Sequence, residues 1–213
     1  MAANETTDAL AKVGKLYSEN VQRLGVQPTA VGWRDADTHN MRFRKLAAVI
    51  DAASPTDPLT VNDYGCGYGA MFNFLAGYSP DLVRYDGYDI SPEMLAAAKD
   101  QVTDERSHWH QSSTIETDAD FSFVSGTFNV RFEASDAKWQ EFITNTLQML
   151  AAKSQRGIAF NLLSTYVDWR EDHLYYGDPG WFFDYCKRNL SGRVTLLHDY
   201  PLYEWTIYVV FDD

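Results

Sequence analysis

The sequence predicts an α/β protein built on a doubly wound, mostly parallel seven-stranded sheet that closes with an antiparallel hairpin. Three observations carry this. From residue 59 onward, short apolar runs alternate with segments of helical period. The first run, Leu59 to Asp63, opens into a turn with glycine at every second position, Gly65, Gly67 and Gly69. The chain then ends on two successive β-type runs joined by Asp199-Tyr200-Pro201, which strict β/α alternation would not produce.

Each element follows from local pattern. Leu10, Val13, Tyr17, Val21 and Leu24 recur at helical spacing, so a first helix is expected over about 7–24. A loop with Pro28, Gly32 and Trp33 separates it from a second helix over about 38–52, with Met41, Leu46, Val49 and Ile50 facing inward. Ser54-Pro55-Thr56-Asp57-Pro58 breaks the chain before the first strand. A helix leaves the glycine turn at Ala70, and strand two runs from Arg84 to Asp89. A helix from Ser91 to about Val102 leads to a weak third strand near 109–112 and a fourth from Phe121 to Ser125. The helix starting near Ser135 places Trp139, Phe142, Ile143, Leu147 and Leu150 on one face. Strand five, Gly157 to Leu163, is almost continuously apolar, as a strand buried on both faces must be. Asp178-Pro179 opens a last helix with an acid at the N-cap and proline at the first helical position. The closing strands are Arg193 to His198 and Tyr203 to Phe211. One domain is expected over 1–213, divided into an N-terminal helical segment (1–55) and a cofactor-binding core (59–213).

The glycine turn states what the core binds. Alternate glycines belong where a backbone turns tightly and a ligand comes closer than a Cβ would allow. An acid at the tip of the next parallel strand, here Asp89, is placed to accept hydrogen bonds from both ribose hydroxyls. Together they describe a pocket for an adenosine-containing cofactor. Gly65-Cys66-Gly67-Tyr68-Gly69-Ala70 fits G-x-G-x-x-A, which suits a dinucleotide. It also fits D-x-G-x-G-x-G when Asp63 is counted.

This second form, with Asp89-Ile90-Ser91-Pro92-Glu93-Met94, resembles the two cofactor motifs of the class I S-adenosylmethionine (SAM) methyltransferases. The resemblance implies SAM as cofactor and S-adenosylhomocysteine as product, with the last strand inserted beside the fifth. Gly65, Gly67 and Gly69 would pass under the methionine part and the ribose. Asp63 would orient the turn or meet the amino group through water. Asp89 would hold the ribose and Ile90 would cover the adenine. Ser112 stands where many relatives direct an acid at the adenine amino group, and Ser125 ends strand four. The N-terminal segment would form a lid. Two other readings remain open from the residues alone: a SAM-binding module without catalysis, and an NAD(P)-dependent oxidoreductase.

Methyl transfer from a sulfonium needs little beyond placement of the acceptor behind the methyl carbon and exclusion of water, worth roughly 7–11 kcal/mol. A general base is required only for an acceptor protonated at working pH. His198, beside Asp199 at the end of strand six, is the leading candidate, and His173 in the acid-rich stretch Asp168–His173 is second. For the acceptor, Tyr17, Trp33 and Tyr166 with Trp169, Tyr175 and Tyr176 supply an aromatic lining, and Asn129 a polar contact. No Asn/Asp-Pro-Pro-Tyr/Phe follows strand four, there is no Pro-Cys, and no acid set suits a catalytic magnesium. These absences turn the reading away from base-amino, C5-pyrimidine and catechol-type methylation.

A formal charge of −12, from 18 basic and 30 acidic residues with no basic block, argues against a nucleic-acid partner. A small-molecule acceptor, methylated on oxygen or nitrogen by a monomer or homodimer, is therefore expected. No apolar run approaches the ~20 residues of a membrane span, and the first residues carry no signal-peptide pattern. Cys66 and Cys186 have no metal spacing and read as reduced thiols in a cytoplasmic protein.

Overall fold

Local signals set the helix ends seen in the computed structural model, which describes residues 5–32, 35–54 and 58–211. Helix α1 spans Glu5–Leu24, and a single 3-10 turn covers Pro28–Val31. Helix α2, Ala36–Ala53, starts where Asp35 accepts the Thr38 N–H at 2.8 Å, and stops at Ser54 in the left-handed region. Helix α4, Pro92–Gln101, is capped by Ser91, and α6, Pro179–Asn189, by Asp178; both have proline at the first turn. Helices α3, Ala70–Tyr78, and α5, Asp136–Ala152, complete the set.

Eight strands form one sheet: β1 Leu59–Tyr64, β2 Leu82–Asp89, β3 Ser107–Gln111, β4 Ala119–Val124, β5 Ser154–Ser164, β6 Tyr176–Gly177, β7 Arg193–Leu197 and β8 Glu204–Val210. Their order is β3-β2-β1-β4-β5-β8-β7, with β6 paired to β5. The first five are parallel, and β8 lies antiparallel between β5 and β7. This is the doubly wound sheet with terminal hairpin expected from the sequence, with one addition. Strand β5 has 11 residues and outruns β4, so the two-residue β6 pairs with its last residues, Leu163 and Ser164. Two residues are too short a run to announce themselves by period.

Alternate strand residues feed two cores. Helices α2 and α3 cover one face through Phe43, Leu46, Val49, Met71, Phe72 and Leu75, packed on Val61, Tyr85 and Phe121. Helices α5 and α6 cover the other through Trp139, Ile143, Leu147 and Phe182, packed on Phe160, Trp205 and Ile207. Such burial, at ~1.5–3 kcal/mol per large apolar side chain, is the main stabilising term.

The chain runs outward from β1 to β3 and then returns to lay β4 against the other side of β1. Ligands in open α/β sheets bind at this reversal, outside the strands' carboxyl ends. Here that point lies between Gly65 and Ser125. Among the described residues no helix is long and apolar enough to cross a membrane, and no cluster of metal-ligating side chains is present.

Candidate functional site

The glycine turn after β1 is left-handed at all three glycines, with φ of 77° at Gly65, 53° at Gly67 and 81° at Gly69. Packing adds to the demand at two of them. A Cβ on Gly65 would lie 2.1 Å from the Thr127 hydroxyl oxygen, and one on Gly69 would lie 2.5 Å from the Trp109 ring. The turn is tied to β2 by the Gly65 and Cys66 amides, both donating to the Tyr88 carbonyl.

Asp89 ends β2 beneath this turn. Its Oδ2 accepts the Gly67 N–H at 2.9 Å and its Oδ1 the Ser91 N–H at 2.8 Å. Burial raises its pKa, opposed by the amides of Ser91, Gly67 and Ile90. A carboxylate held this way by two backbone donors is fixed in position and keeps acceptor capacity for ligand hydroxyls.

A cleft of about 690 Å³, counting space open to solvent, lies over Asp89. Gly65, Gly67, Asp89, Ile90, Ser112 and Ser125 line it, with Tyr17, Leu10 and Val13 of α1 on the opposite wall. The helical stripe that suggested an amphipathic α1 thus covers ligand space as well as core. Burial and the Asp89 charge push the Tyr17 hydroxyl up to about 12, which keeps it neutral.

A second compartment, about 320 Å³ on the same measure, shares Val31, Gly65, Gly67 and Ser125 with the first. Asp63, His39, Phe43, Cys66, Tyr68, Ala70 and Met71 complete it. Asp63 is 2% exposed and accepts a hydrogen bond from the Tyr85 hydroxyl through Oδ2. Its Oδ1, and the Ser125 Oγ, are buried without a hydrogen-bond partner among the described residues. Burial drives the Asp63 pKa up to about 7; the Tyr85 hydrogen bond lowers it and the Asp89 charge raises it further. His39 moves the other way, down to about 4, because burial and the Arg42 cation both disfavour its charged form.

The remaining candidates lie elsewhere. Gly69 packs on Trp109 and borders neither compartment. His198 is exposed at the end of β7, its ring 5.7 Å from the 72% exposed Tyr166. His173 is exposed too, and its carbonyl accepts the amides of Arg131 and Phe132. Trp169 stands exposed against Tyr203, while Tyr175 is buried and Tyr176 half-buried. The Asn129 side chain accepts the Leu163 N–H at 3.1 Å and so ties the turn after β4 to β5. Trp33 lies outside the described residues. His39, Cys66, Tyr68 and Thr127 escaped the sequence reading. His39 sits at i, i+3, i+4 and i+7 spacing with Arg42, Phe43 and Leu46, so by period alone it belongs to a core stripe.

A glycine turn at the sheet reversal, an acid clamped under it and a helix closing over the top define the cofactor site of a class I methyltransferase. A family profile described as a methyltransferase domain matches residues 61–153. The chain is 45% identical over 166 residues to "Putative methyltransferase Rv1506c" of Mycobacterium tuberculosis (strain ATCC 25618 / H37Rv), covering 76% of this chain and 96% of that protein. It belongs to the SAM-dependent methyltransferase family.

Solved structures share the fold. One is magnesium protoporphyrin IX methyltransferase (ChlM) from Synechocystis PCC 6803 with bound SAM, at TM-score 0.69, 14% identity and 99% coverage of both chains. Another is the plantazolicin methyltransferase BpumL in complex with S-adenosylhomocysteine, at TM-score 0.63 and 14% identity, covering 98% of this chain and 96% of that one. Membership of that family, rather than the shared fold, makes SAM the cofactor and the protein an enzyme, which sets aside both the dinucleotide parse of the glycine turn and the non-catalytic module. The site fits SAM chemically: Asp89 suits the ribose, and the second compartment holds a buried carboxylate with an unsatisfied oxygen.

Proposed function

We propose that the enzyme methylates an oxygen or nitrogen of a small-molecule acceptor by direct in-line displacement, with the adenosyl group in the first compartment and the methionine end in the second. The unsatisfied, deeply buried Asp63 Oδ1 carries the placement of the cofactor, because an ammonium group is the partner such an atom lacks, and the formal charge of −12 supports a small acceptor over a polyanion. When bound, SAM supplies an electrophilic methyl group on a positively charged sulfur. Asp89 holds the ribose, Ile90 and the α1 residues Leu10 and Val13 enclose the adenosine, and Tyr17 closes the lid. An acceptor lone pair placed behind that carbon would take the methyl group as S-adenosylhomocysteine is released, and the acceptor's proton would pass to a base or to water.

Positioning provides most of the acceleration. Among the described residues His39 is the histidine that lines either compartment, which His108, His110, His173 and His198 do not. Neutral at pH 7, its imidazole serves to orient an acceptor O–H or N–H. The test has two stages. Calorimetric titration with SAM, S-adenosylhomocysteine, NAD and NADP should give saturable binding of the first two alone. A labelled-methyl screen should then find turnover on small hydroxyl or amine compounds, and turnover confined to nucleic acid or protein would overturn the reading. With an acceptor in hand, His39→Ala should lower kcat well below that of His198→Ala; the reverse order would return the role to His198.

A further inference from the structure

Gly126 bends the chain after β4 with φ 72°, between Ser125, which borders both compartments, and Thr127, which lines the first. Its buried N–H donates to the Asn161 side-chain oxygen at 2.7 Å. Asn161, fully buried on β5, donates its own NH2 to Glu204 Oε2 at 2.8 Å. Glu204, at the start of β8, is gripped by Arg42 of α2, with Nε at 2.8 and 2.9 Å from its two oxygens and a terminal nitrogen at 2.6 Å from Oε1. One chain of bonds therefore runs from α2 through β8 and β5 to the wall of the cleft.

The chemistry of this chain leaves no freedom. A carboxylate only accepts, so Asn161 must present its NH2 to Glu204. Its oxygen then has to face the Gly126 N–H, which only donates. A buried ion pair is rarely kept for stability alone, since apolar replacements of similar volume are often neutral or stabilising. Orientation is what this pair adds.

We infer that the Arg42–Glu204 pair is a positioning device for the cofactor-facing turn Ser125–Thr127, acting through the obligatory orientation of the Asn161 amide. The inference rests on the reading that this turn touches SAM. It places Arg42, Glu204 and Asn161 as positioning residues, none of which borders the cleft.

The isosteric change Glu204→Gln tests it. A glutamine must turn its oxygen to the two Arg42 donors on the Oε1 side, which sets its NH2 against the Asn161 NH2. Asn161 then flips and faces the Gly126 N–H with a donor, although no heavy atom has moved. At a temperature where wild type and variant are both fully folded, S-adenosylhomocysteine affinity should fall about tenfold. The Gly126 amide signal of the unliganded protein should also shift. The apolar pair Arg42→Met with Glu204→Leu removes the device without a donor conflict and leaves the Asn161 NH2 without its acceptor, so affinity should again fall, by at least about threefold, and wild-type affinity in it would show that the pair does not position the turn. Wild-type affinity together with an unmoved Gly126 amide in Glu204→Gln would overturn the inference. If that variant does not fold, Asn161→Ala removes the acceptor directly and is judged by the same two readouts. Should the wild-type protein bind no S-adenosylhomocysteine, the functional reading fails, while the Gly126 amide shift still decides the relay.

Discussion

Helices α1 and α2 precede the first strand one after the other, with 20 and 18 residues, yet they are held in opposite ways. Helix α2 is buried in the sheet layer through Phe43, Leu46, Ala47, Val49 and Ile50, and Arg42 pins it to β8. Helix α1 buries only Ala9, Val13 and Val21. Leu10 packs partly buried against the core, and the polar ties are Glu5 to the Ser135 amide and Lys12 to Glu133, both exposed, with Ser18 to Ser91 and Glu93, half-buried. The N-terminal segment therefore divides into a firmly packed α2 and a lightly held α1, and we propose that only α1 acts as the lid over the cleft. A lid that admits a cofactor has to come from the weakly held end of the stability range, and few apolar contacts with solvent-accessible hydrogen bonds are its physical mark.

The comparison breaks most sharply in the core. Leu46→Ala in α2 should cost about 2–5 kcal/mol of stability in chemical denaturation, through lost burial and the cavity left behind. A much smaller loss would mean that α2 is as loosely held as α1.

The Asp63 carboxyl, buried on β1 beside the α2 residues His39 and Phe43, makes stability depend on pH. Its folded pKa of about 7 stands above the ordinary 3.8, so between those values the folded chain holds a proton that the unfolded chain has lost. Stability of the unliganded protein should therefore fall as pH rises from about 4 to about 7, by up to ~1.4 kcal/mol per pH unit from this group. Asp63→Asn should flatten the profile in that window, and an unchanged slope would place the titration elsewhere. An ammonium opposite Asp63 favours its charged form, so SAM should bind more tightly at pH 8 than at pH 6.

Asp89→Ala removes the clamp under the glycine turn, and SAM affinity should drop by about 1–3 kcal/mol in calorimetry. Equal affinity would remove Asp89 from the site. The smallest effect belongs to the lid. Ser18→Ala should leave the melting temperature near wild type while α1 amides exchange several-fold faster and S-adenosylhomocysteine dissociates sooner. Unchanged α1 exchange would show that Ser18 does not hold the lid.

Much of this could be read before folding was considered. The helix ends are written in Ser91-Pro92, Asp178-Pro179 and the glycine turn, because a cap or a left-handed residue acts within four positions. The mostly parallel sheet followed from β/α alternation and its end from the two closing strand runs, while the place of the last strand came from the family resemblance; Gly65, Gly67 and Asp89 were legible as the lining of one cleft. His198 drew attention because it is a histidine at a strand end, yet nothing local says whether a strand end faces a cleft or solvent.

Sequence alone determined the class of fold, the left-handed glycine turn and the acid at the end of the next strand, since each depends on neighbours in the chain or on a short period. Tertiary structure alone decided which helix is buried in the sheet layer and which lines the cleft, that Asp63 and Ser125 share one compartment with His39, and that Arg42 meets Glu204 across 162 positions. Those choices rest on desolvation and hydrogen-bond satisfaction between distant segments, and neither exists until the segments are packed together.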